Sequence, residues 1–265
     1  MTKKVIINAD DFGISLGVKH AIETMINQER LNSVSIFAKA KYTKEAIDFC
    51  KKNPQISTGL HFNLTTGSSV LGHKELPILT DKNNNFKLGF IGLLLAVIKN
   101  NGIVVEVEKE LNAQLDLLKD LPISHIDGHR HVHFIPRIFS VVKNVAKIRK
   151  ISRVRVINES IIKSIFYCKN ISFLFDGGII KLIILRICGI FNGSYKIKAP
   201  YFFSILYTGK ITSDLVKNLK VPFGFHEMEI MIHPGDNNID KNEDILYEKE
   251  ALLSNYRNKE SEFKL

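Results

Sequence analysis

The sequence predicts an α/β protein built on a parallel sheet or a β/α barrel. Short apolar runs rich in β-branched residues alternate along the chain with segments of about 10 to 16 residues that have helical periodicity. Such alternation is typical of βαβ units, whose strands are parallel. The chain has 265 residues and contains no repeat of fixed period and no low-complexity linker. We therefore predict a single domain over residues 1–265.

The first predicted strand covers residues 3–7 and runs into a polar loop that ends at Gly13. A helix follows, because Ile14, Val18, Ile22, Met25 and Ile26 recur at helical spacing. Further strands are predicted at residues 32–37 and 56–64, with a helix over residues 43–51 between them.

Residues 67–102 are predicted to be irregular, because they are rich in Gly and Asn and contain one apolar stretch, residues 88–98. A helix follows on which Val107, Leu111 and Leu115 share one face. Pro136 is suited to the first turn of a later helix. The remaining strands are predicted at residues 122–126, 153–157 and 229–232.

The formal net charge of +10 is concentrated in one third of the chain. Residues 1–136 carry +2, residues 137–220 carry +13 and residues 221–265 carry −5. The lysines of the basic third are not interleaved with aromatic residues as a base-stacking surface would require, so we predict no nucleic acid partner. Its apolar runs are interrupted by Lys181 and Arg186, which disfavours a transmembrane helix.

Two interpretations of the basic third stay open. In the first, residues 160–220 form outer helices whose lysines are solvated; in the second, they meet an anionic membrane surface or a lipid-diphosphate-linked sugar. The three widely spaced cysteines indicate neither disulfides nor a thiolate zinc site, and residues 5–7 are too short an apolar run for a secretory signal. We therefore expect a cytoplasmic protein, with peripheral attachment at the inner membrane face under the second interpretation.

Four histidines and one aspartate fall within nine residues, in the segment His125-Ile126-Asp127-Gly128-His129-Arg130-His131-Val132-His133. Buried imidazoles need partners, so this density indicates a metal or catalytic site rather than packing. Adjacent carboxylates at Asp10 and Asp11 follow the first strand. On an extended backbone they would point to opposite sides, so one could bind a metal while the other acts elsewhere; a helix N-cap is the alternative.

Two more histidines lie at predicted strand ends. His61 is within an apolar strand and is either a core histidine or a ligand, and His233 precedes Pro234 at the point where a strand stops. Because α/β folds place their sites at the carboxyl ends of strands, a site shared by these residues and the histidine cluster is plausible.

Four segments together resemble the signatures of the YdjC-like carbohydrate deacetylases (the ChbG/HpnK group), in that family's order and spacing. They are residues 8–13 (NADDFG), 59–65 (GLHFNLT), 125–133 (HIDGHRHVH) and 229–235 (EIMIHPG). The resemblance implies a deformed (β/α) barrel of the YdjC/NodB-like deacetylase type. It also implies a metal-dependent hydrolase that removes the acetyl group from an N-acetylated sugar.

Carried over motif by motif, the resemblance makes Asp11, His61 and His129 the ligands of one divalent metal. Asp10 would be the catalytic base and His233 the acid. Residues expected to orient ligands, tune His233 or contact substrate are Asp127, Arg130, His131 and Arg155. The family resemblance suggests Mg²⁺, whereas two imidazoles and one carboxylate favour Zn²⁺ or another late first-row ion.

Other functions remain open on the sequence alone. One is a different metal-dependent amidohydrolase that uses His131 and His133 as a ligand pair; another is a polyanion- or membrane-binding protein that keeps the site as a relic. The identity of the sugar and the oligomeric state, monomer or homodimer, are not specified. Substrate choice is expected to depend on residues 67–102 and 160–220.

Overall fold

The computed structural model describes residues 4–168, 177–242 and 255–262. Seven parallel strands form one sheet with the order β5-β4-β3-β2-β1-β7-β6. The strands are β1 (Lys4–Phe12), β2 (Ser33–Phe37), β3 (Ser57–Phe62), β4 (Ile123–Gly128), β5 (Arg153–Val154), β6 (Tyr201–Phe203) and β7 (Glu227–Ile232). The sheet curls into a half-barrel, which confirms the α/β class and the deformed-barrel prediction.

Helices connect the strands and pack against the sheet. They are α1 (Leu16–Asn27), α2 (Thr43–Lys52), α3 (Phe90–Lys99), α4 (Gly102–Leu117), α5 (Ile138–Ile148), α6 (Ile161–Cys168), α7 (Gly178–Phe191), α8 (Ser213–Asn218), α9 (Asn237–Asp240) and α10 (Asn255–Ser261). Among the described residues, no helix is long and apolar enough to span a bilayer. Cys50 and Cys188 are buried free thiols, whereas the side chain of Cys168 lies outside the described residues.

The amphipathic pattern of the first helix determines how it packs. Val18, Ile22 and Met25 are completely buried against the sheet, where each contributes roughly 1.5–3 kcal/mol of hydrophobic stabilisation. Ser15 caps α1, because its side chain accepts a hydrogen bond from the backbone N–H of Val18. The capping alternative for the two adjacent aspartates is therefore wrong.

Several predicted boundaries differ from the structure. The first strand continues through Phe12, so the two aspartates belong to its end rather than to a loop, while Lys3 lies outside the described residues. Helix α5 begins at Ile138, so Pro136 lies two residues before the helix rather than, as predicted, in its first turn. The strand predicted at residues 153–157 is reduced to two residues.

The basic third contributes more than outer helices. Its strand β6 was not predicted, because it has only three residues, but it pairs with β7 and extends the sheet. Residues 169–176 of this segment lie outside the described residues. Residues 67–102 are largely irregular, as predicted, apart from α3 and two isolated bridges. Carboxylates of α4 hold this segment: Glu110 accepts hydrogen bonds from the N–H groups of Val70 and Leu71 at 2.8 and 3.2 Å.

Candidate active site

The predicted site residues meet at one edge of the sheet. Because the strands are parallel, their carboxyl ends lie together, and loops at that edge can share one site. The edge carries Asp10 and Asp11 of β1, His61 of β3, Asp127 of β4, His129 directly after β4 and His233 directly after β7. All but His233 are at least 95% buried.

Three of these side chains form a compact group that can hold a metal ion. Oδ1 of Asp11 lies 3.2 Å from Nε2 of His61 and 3.0 Å from Nδ1 of His129. The candidate ligand atoms of the three residues all lie within 4.8 Å of one another. Two imidazoles and one carboxylate make a three-ligand set of the kind found in catalytic metal sites that leave a position open.

The backbone at Asp11 explains how two consecutive carboxylates serve one site. Asp11 has a positive φ of 67°, a left-handed conformation that Asp tolerates better than most residues. The expectation that the pair points to opposite sides of an extended strand is therefore wrong. The turn brings both carboxylates to His61, with Oδ2 of Asp10 3.8 Å from its Nδ1.

A tight turn after β4 positions His129. Arg130 and His131 both have positive φ, 52° and 60°, so the chain reverses directly after the strand. Gly128 is required at its start, because a Cβ there would lie 2.9 Å from Nδ1 of His133. The turn directs Nδ1 of His129 to Asp11, and the side chains of His129, His131 and His133 are all buried.

Asp127 orients His61. Its Oδ1 lies 2.7 Å from Nδ1 of His61, and its Oδ2 accepts a hydrogen bond of 2.5 Å from Ser35. This leaves Nε2 of His61 facing Asp11, in the way that a carboxylate fixes a metal-binding imidazole. Burial opposes a charged ring at His61, but the carboxylates of Asp127 and Asp10 outweigh it and raise its pKa to about 10. The site thus favours a positive charge at this position.

Arg155 links the carboxylates behind the site. Its Nη1 and Nη2 donate to Asp10 at 2.7 and 2.8 Å, its Nη2 lies 2.6 Å from Asp127, and its Nε donates to Glu229 at 2.7 Å. The side chain is 1% exposed. Burial opposes the charge, yet these three carboxylates keep the pKa of Arg155 well above its usual range. Its nitrogens are directed to carboxylates, which fixes the positions of these side chains, and the expected contact of Arg155 with substrate stays a prediction.

Sequence reasoning missed a polar network beneath Asp10. Asn8 donates to Asp10 at 2.7 Å and to Ser35 at 2.9 Å, and it accepts from Ser33 at 2.5 Å. His125 joins this network through Ser35 at 3.1 Å. Asn8 and Asp10 are two residues apart on one strand and so share a face, a signal that could have identified Asn8. The serines of β2 carry no comparable signal.

The C-terminal helix α10 also reaches the site, which the sequence did not indicate. Nη2 of Arg257 donates to Oδ2 of Asp11 at 2.7 Å. Glu260 accepts from the backbone N–H groups of His233 and Gly209, both at 2.7 Å. Burial raises the pKa of Glu260 to about 7 despite these donors. Partners more than 200 residues apart, such as Arg257 and Asp11, leave no local pattern.

His233 stands beside Asp10. Ala9 and Ile232 are paired in the β1–β7 register. Asp10 and His233, which follow them in the chain, therefore lie at the same level of the sheet edge. Nδ1 of His233 is buried, has no hydrogen-bond partner among the described residues, and lies 3.9 Å from Oε2 of Glu260. Burial lowers the pKa of His233 to about 4, and nearby carboxylates only partly oppose this. His233 is therefore neutral near pH 7.

The remaining residues of the histidine segment have different surroundings. Arg130 is exposed, whereas His131 is buried and its Nδ1 has no hydrogen-bond partner among the described residues. Burial, together with the charges of Lys181 and Arg155, holds the pKa of His131 well below its usual range. Nε2 of His133 lies 3.2 Å from the carbonyl oxygen of Arg155, and the rings of the two histidines are 6.4 Å apart. Neither joins a group of metal-binding side chains among the described residues, so the alternative ligand pair of an amidohydrolase has no support.

Several known proteins are similar to this chain in sequence. The chain is 35% identical over 146 residues to a carbohydrate deacetylase of Brevibacillus brevis, an alignment that covers 54% of this chain and 56% of the relative. It is 32% identical over 152 residues to a chitooligosaccharide deacetylase of Proteus mirabilis, covering 56% of each. The matched part thus spans about half the length of these curated relatives.

A solved structure matches over nearly the whole chain. It is a putative cellobiose-phosphate cleavage protein from Enterococcus faecalis, with a TM-score of 0.68 and 21% identity over 98% of this chain and 94% of that one. This likeness supports the fold. The family model described as YdjC-like protein matches residues 4–264, almost the entire sequence, and so the chain belongs to the YdjC-like family.

Proposed function

We propose that the protein is a metal-dependent N-deacetylase that hydrolyses the acetamido group of an acetylated amino sugar. The observation that supports this most directly is the buried group of Asp11, His61 and His129 with Asp10 at its side. Deacetylases among the family relatives point to the same reaction class. A site with three metal ligands, a separate carboxylate and a separate imidazole suits amide hydrolysis.

The donor set fits a metal ion. Asp11 offers a carboxylate oxygen, and His61 offers Nε2 because Asp127 engages its Nδ1. The tendency of His61 to be positively charged indicates that the surrounding carboxylates are balanced by a cation. Two imidazole nitrogens suit zinc or another late first-row ion better than magnesium, which prefers oxygen ligands. When bound, such an ion supplies Lewis acidity that activates water and stabilises developing negative charge.

Asp10 is the proposed general base. It lies next to the metal-binding group but is held by other partners, since Arg155 engages both of its oxygens and Asn8 engages Oδ1. These donors fix the carboxylate in one orientation and favour its ionised form. Asp10 therefore accepts the proton of the attacking water without leaving its position.

His233 is the proposed general acid. Its ring is neutral in the free protein, so during the reaction it takes up the proton that Asp10 has removed from the attacking water. It then gives this proton to the departing sugar amine, which must leave neutral. The buried Nδ1 atoms of His233 and His131 have no hydrogen-bond partner among the described residues. We assign both atoms to substrate binding, together with Arg130, which is exposed next to His131.

Acetate release tests this proposal. Metal-free protein is reloaded with Zn²⁺ or Mg²⁺ and assayed on N-acetylglucosamine oligomers, while bound metal is measured by elemental analysis. We expect His129→Ala to lose both bound metal and acetate release, and His20→Ala, a change at an exposed histidine of α1, to retain both. Acetate release by the His129→Ala protein at the wild-type rate, or none by any loaded wild-type protein, would falsify the proposal.

A further inference from the structure

Two helices next to the site are apolar on their exposed faces as well as on their buried ones. On α7, Leu182 and Leu185 point into the core. The exposed apolar side chains of α3 and α7 are Ile91, Leu95 and Ile98 on the former and Ile180, Ile183, Ile187, Ile190 and Phe191 on the latter. They recur every three or four residues and so form a continuous stripe along each helix. Amphipathic surface helices normally present polar residues to water instead.

An apolar groove runs between these two helices. It consists of a cavity of about 420 Å³ that includes Phe90 and Lys181 and a cavity of about 350 Å³ that includes Val97 and Ile187. Ile184 lines both cavities, so they adjoin each other along α7. Apolar clefts of about 300–1,000 Å³ with a few polar groups are typical ligand sites.

One end of the groove lies at the edge of the sheet where the carboxyl ends of the strands carry the candidate site; we call this the catalytic edge. Arg130 lines this end and directly follows His129, a residue of the metal-binding group. Lys181 lines the same end of the groove as Arg130. The other end, near Ile98 and Phe191, is lined by apolar side chains and by Arg137, whose guanidinium donates hydrogen bonds to the carbonyl oxygen of Val97 and to Asn101.

This distribution of charge identifies the class of occupant. A ligand that fits must have an anionic portion near Arg130 and Lys181 and a hydrocarbon portion along Ile184 and Ile187. A second copy of this chain would bring another set of basic residues to the same place, because residues 137–220 carry +13. A flat membrane surface would contact the outer stripes but would not enter the cleft between them.

We propose that the groove between α3 and α7 binds the hydrocarbon chain of a lipid-linked acetylated amino sugar, whose phosphate or diphosphate linker lies at Arg130 and Lys181. This inference rests on the proposed deacetylase function and names its substrate class. The sugar then reaches the metal-binding edge while its lipid stays in the groove.

The experiment compares substrates that share one sugar and differ in the length of the hydrocarbon chain or in the linker. Acetate release is measured for methyl, butyl and octyl glycosides of N-acetylglucosamine below their micelle concentrations, and for an octyl diphosphate of the same sugar. We expect kcat/KM to rise along the glycoside series by up to about fourfold per buried methylene. The diphosphate should exceed the octyl glycoside, and Lys181→Gln should reduce that advantage.

Variants locate the effect in the groove. Ile187→Gln and Ile98→Gln, both at exposed positions, should weaken the dependence on chain length while leaving kcat/KM for the methyl glycoside unchanged. The matched control is Ile148→Gln, at an exposed isoleucine on the end of α5 remote from the catalytic edge. It should behave as the wild type on every substrate.

Each contrary result has its own meaning. Equal kcat/KM for all chain lengths would overturn the groove assignment while leaving the deacetylase proposal intact, whereas no acetate from any substrate would overturn the latter. Two further results would overturn the groove assignment in favour of another occupant. One is binding to anionic vesicles without dependence on chain length, and the other is a dimer that Ile187→Gln dissociates.

Discussion

The carboxyl edge of the sheet and the groove between α3 and α7 are built on opposite principles. At the sheet edge, ionisable side chains are buried and held by several partners, as Arg155 is by three carboxylates. In the groove, apolar side chains such as Ile187 and Ile98 are 49% and 71% exposed. The two regions meet at Arg130 and Lys181.

This difference separates reaction from specificity. Buried charges need fixed partners, so the edge of the sheet is rigid and any change there disturbs several groups at once. Exposed apolar residues on helices need few fixed partners, so they can vary without loss of the fold. A family can therefore keep one reaction and change its substrate by altering the helices above the sheet.

The largest expected effect is on the rate, at Asp10. We predict that Asp10→Asn lowers kcat for acetate release by about 10²–10⁴-fold, because a general base contributes on that order. Zinc affinity should stay within a few-fold of the wild type if Asp11, His61 and His129 are the ligands, whereas a metal held by the second group of candidate ligands, Asp10, His61 and Asp127, would be lost. Asp48→Asn, at an exposed position of α2, is the control for kcat. A joint loss of metal and activity would instead make Asp10 a ligand.

Next comes the stability of the buried network. Arg155→Met leaves the carboxylates of Asp10, Asp127 and Glu229 without their shared cation, so we expect a loss of about 3–5 kcal/mol in the free energy of unfolding. Arg149→Met removes a surface ion pair with Asp116 of 2.8 Å and should cost about 1 kcal/mol or less. Urea denaturation measures both. Equal losses for the two variants would contradict the contrast between edge and surface.

A smaller effect, on metal affinity, is expected from replacing Asp127, whose carboxylate contacts Nδ1 of His61. Asp127→Asn keeps the shape of the side chain but weakens its hold on Nδ1 of His61. Changes of this kind reduce metal affinity by about 10–100-fold, which titration against a zinc chelator can measure. Asp116→Asn on the surface is the matched control. Unchanged affinity in the Asp127→Asn protein would show that His61 is oriented by other means.

The pH dependence of zinc affinity also tests the role of His61. A tenfold change in affinity per pH unit corresponds to about 1.4 kcal/mol of binding free energy. The pKa of His61 is raised to about 10 in the metal-free protein, above the value of 6.5 for an unperturbed imidazole. The ring therefore holds a proton at pH 6.5–8.5, and a metal that binds Nε2 must displace it. We expect zinc affinity to rise about tenfold per pH unit in this window. Calorimetry in buffers of different ionisation heat should detect the released proton, and pH-independent affinity would contradict this.

The two regions also differ in how far the sequence predicted them. The aspartates, His61, His129 and His233 lie next to strand ends, and a short polar motif beside an apolar run is visible without any knowledge of contacts. The opposite orientation expected for Asp10 and Asp11 failed because a positive φ leaves no mark in a strand pattern.

Other features were hidden because they depend on long-range contacts. Arg257 and Glu260 come from the far end of the chain and join the site only through folding. For residues 160–220, the apolar runs were evident, but periodicity does not say which face of α7 packs inward when both faces are apolar. The short strand β6 was missed for a related reason, since three residues are too few to show an alternation.

The smallest expected effect distinguishes the two faces of α7. Ile187→Gln replaces an exposed apolar side chain, so we expect the free energy of unfolding to change by no more than about 0.5 kcal/mol. Leu182→Ala removes a completely buried side chain from the same helix and should cost about 2–5 kcal/mol. Urea denaturation of the metal-free protein measures both without any ligand in the groove. A loss above 1 kcal/mol for Ile187→Gln would mean that the outer face of α7 packs against part of the chain itself, which would leave no room there for a hydrocarbon chain.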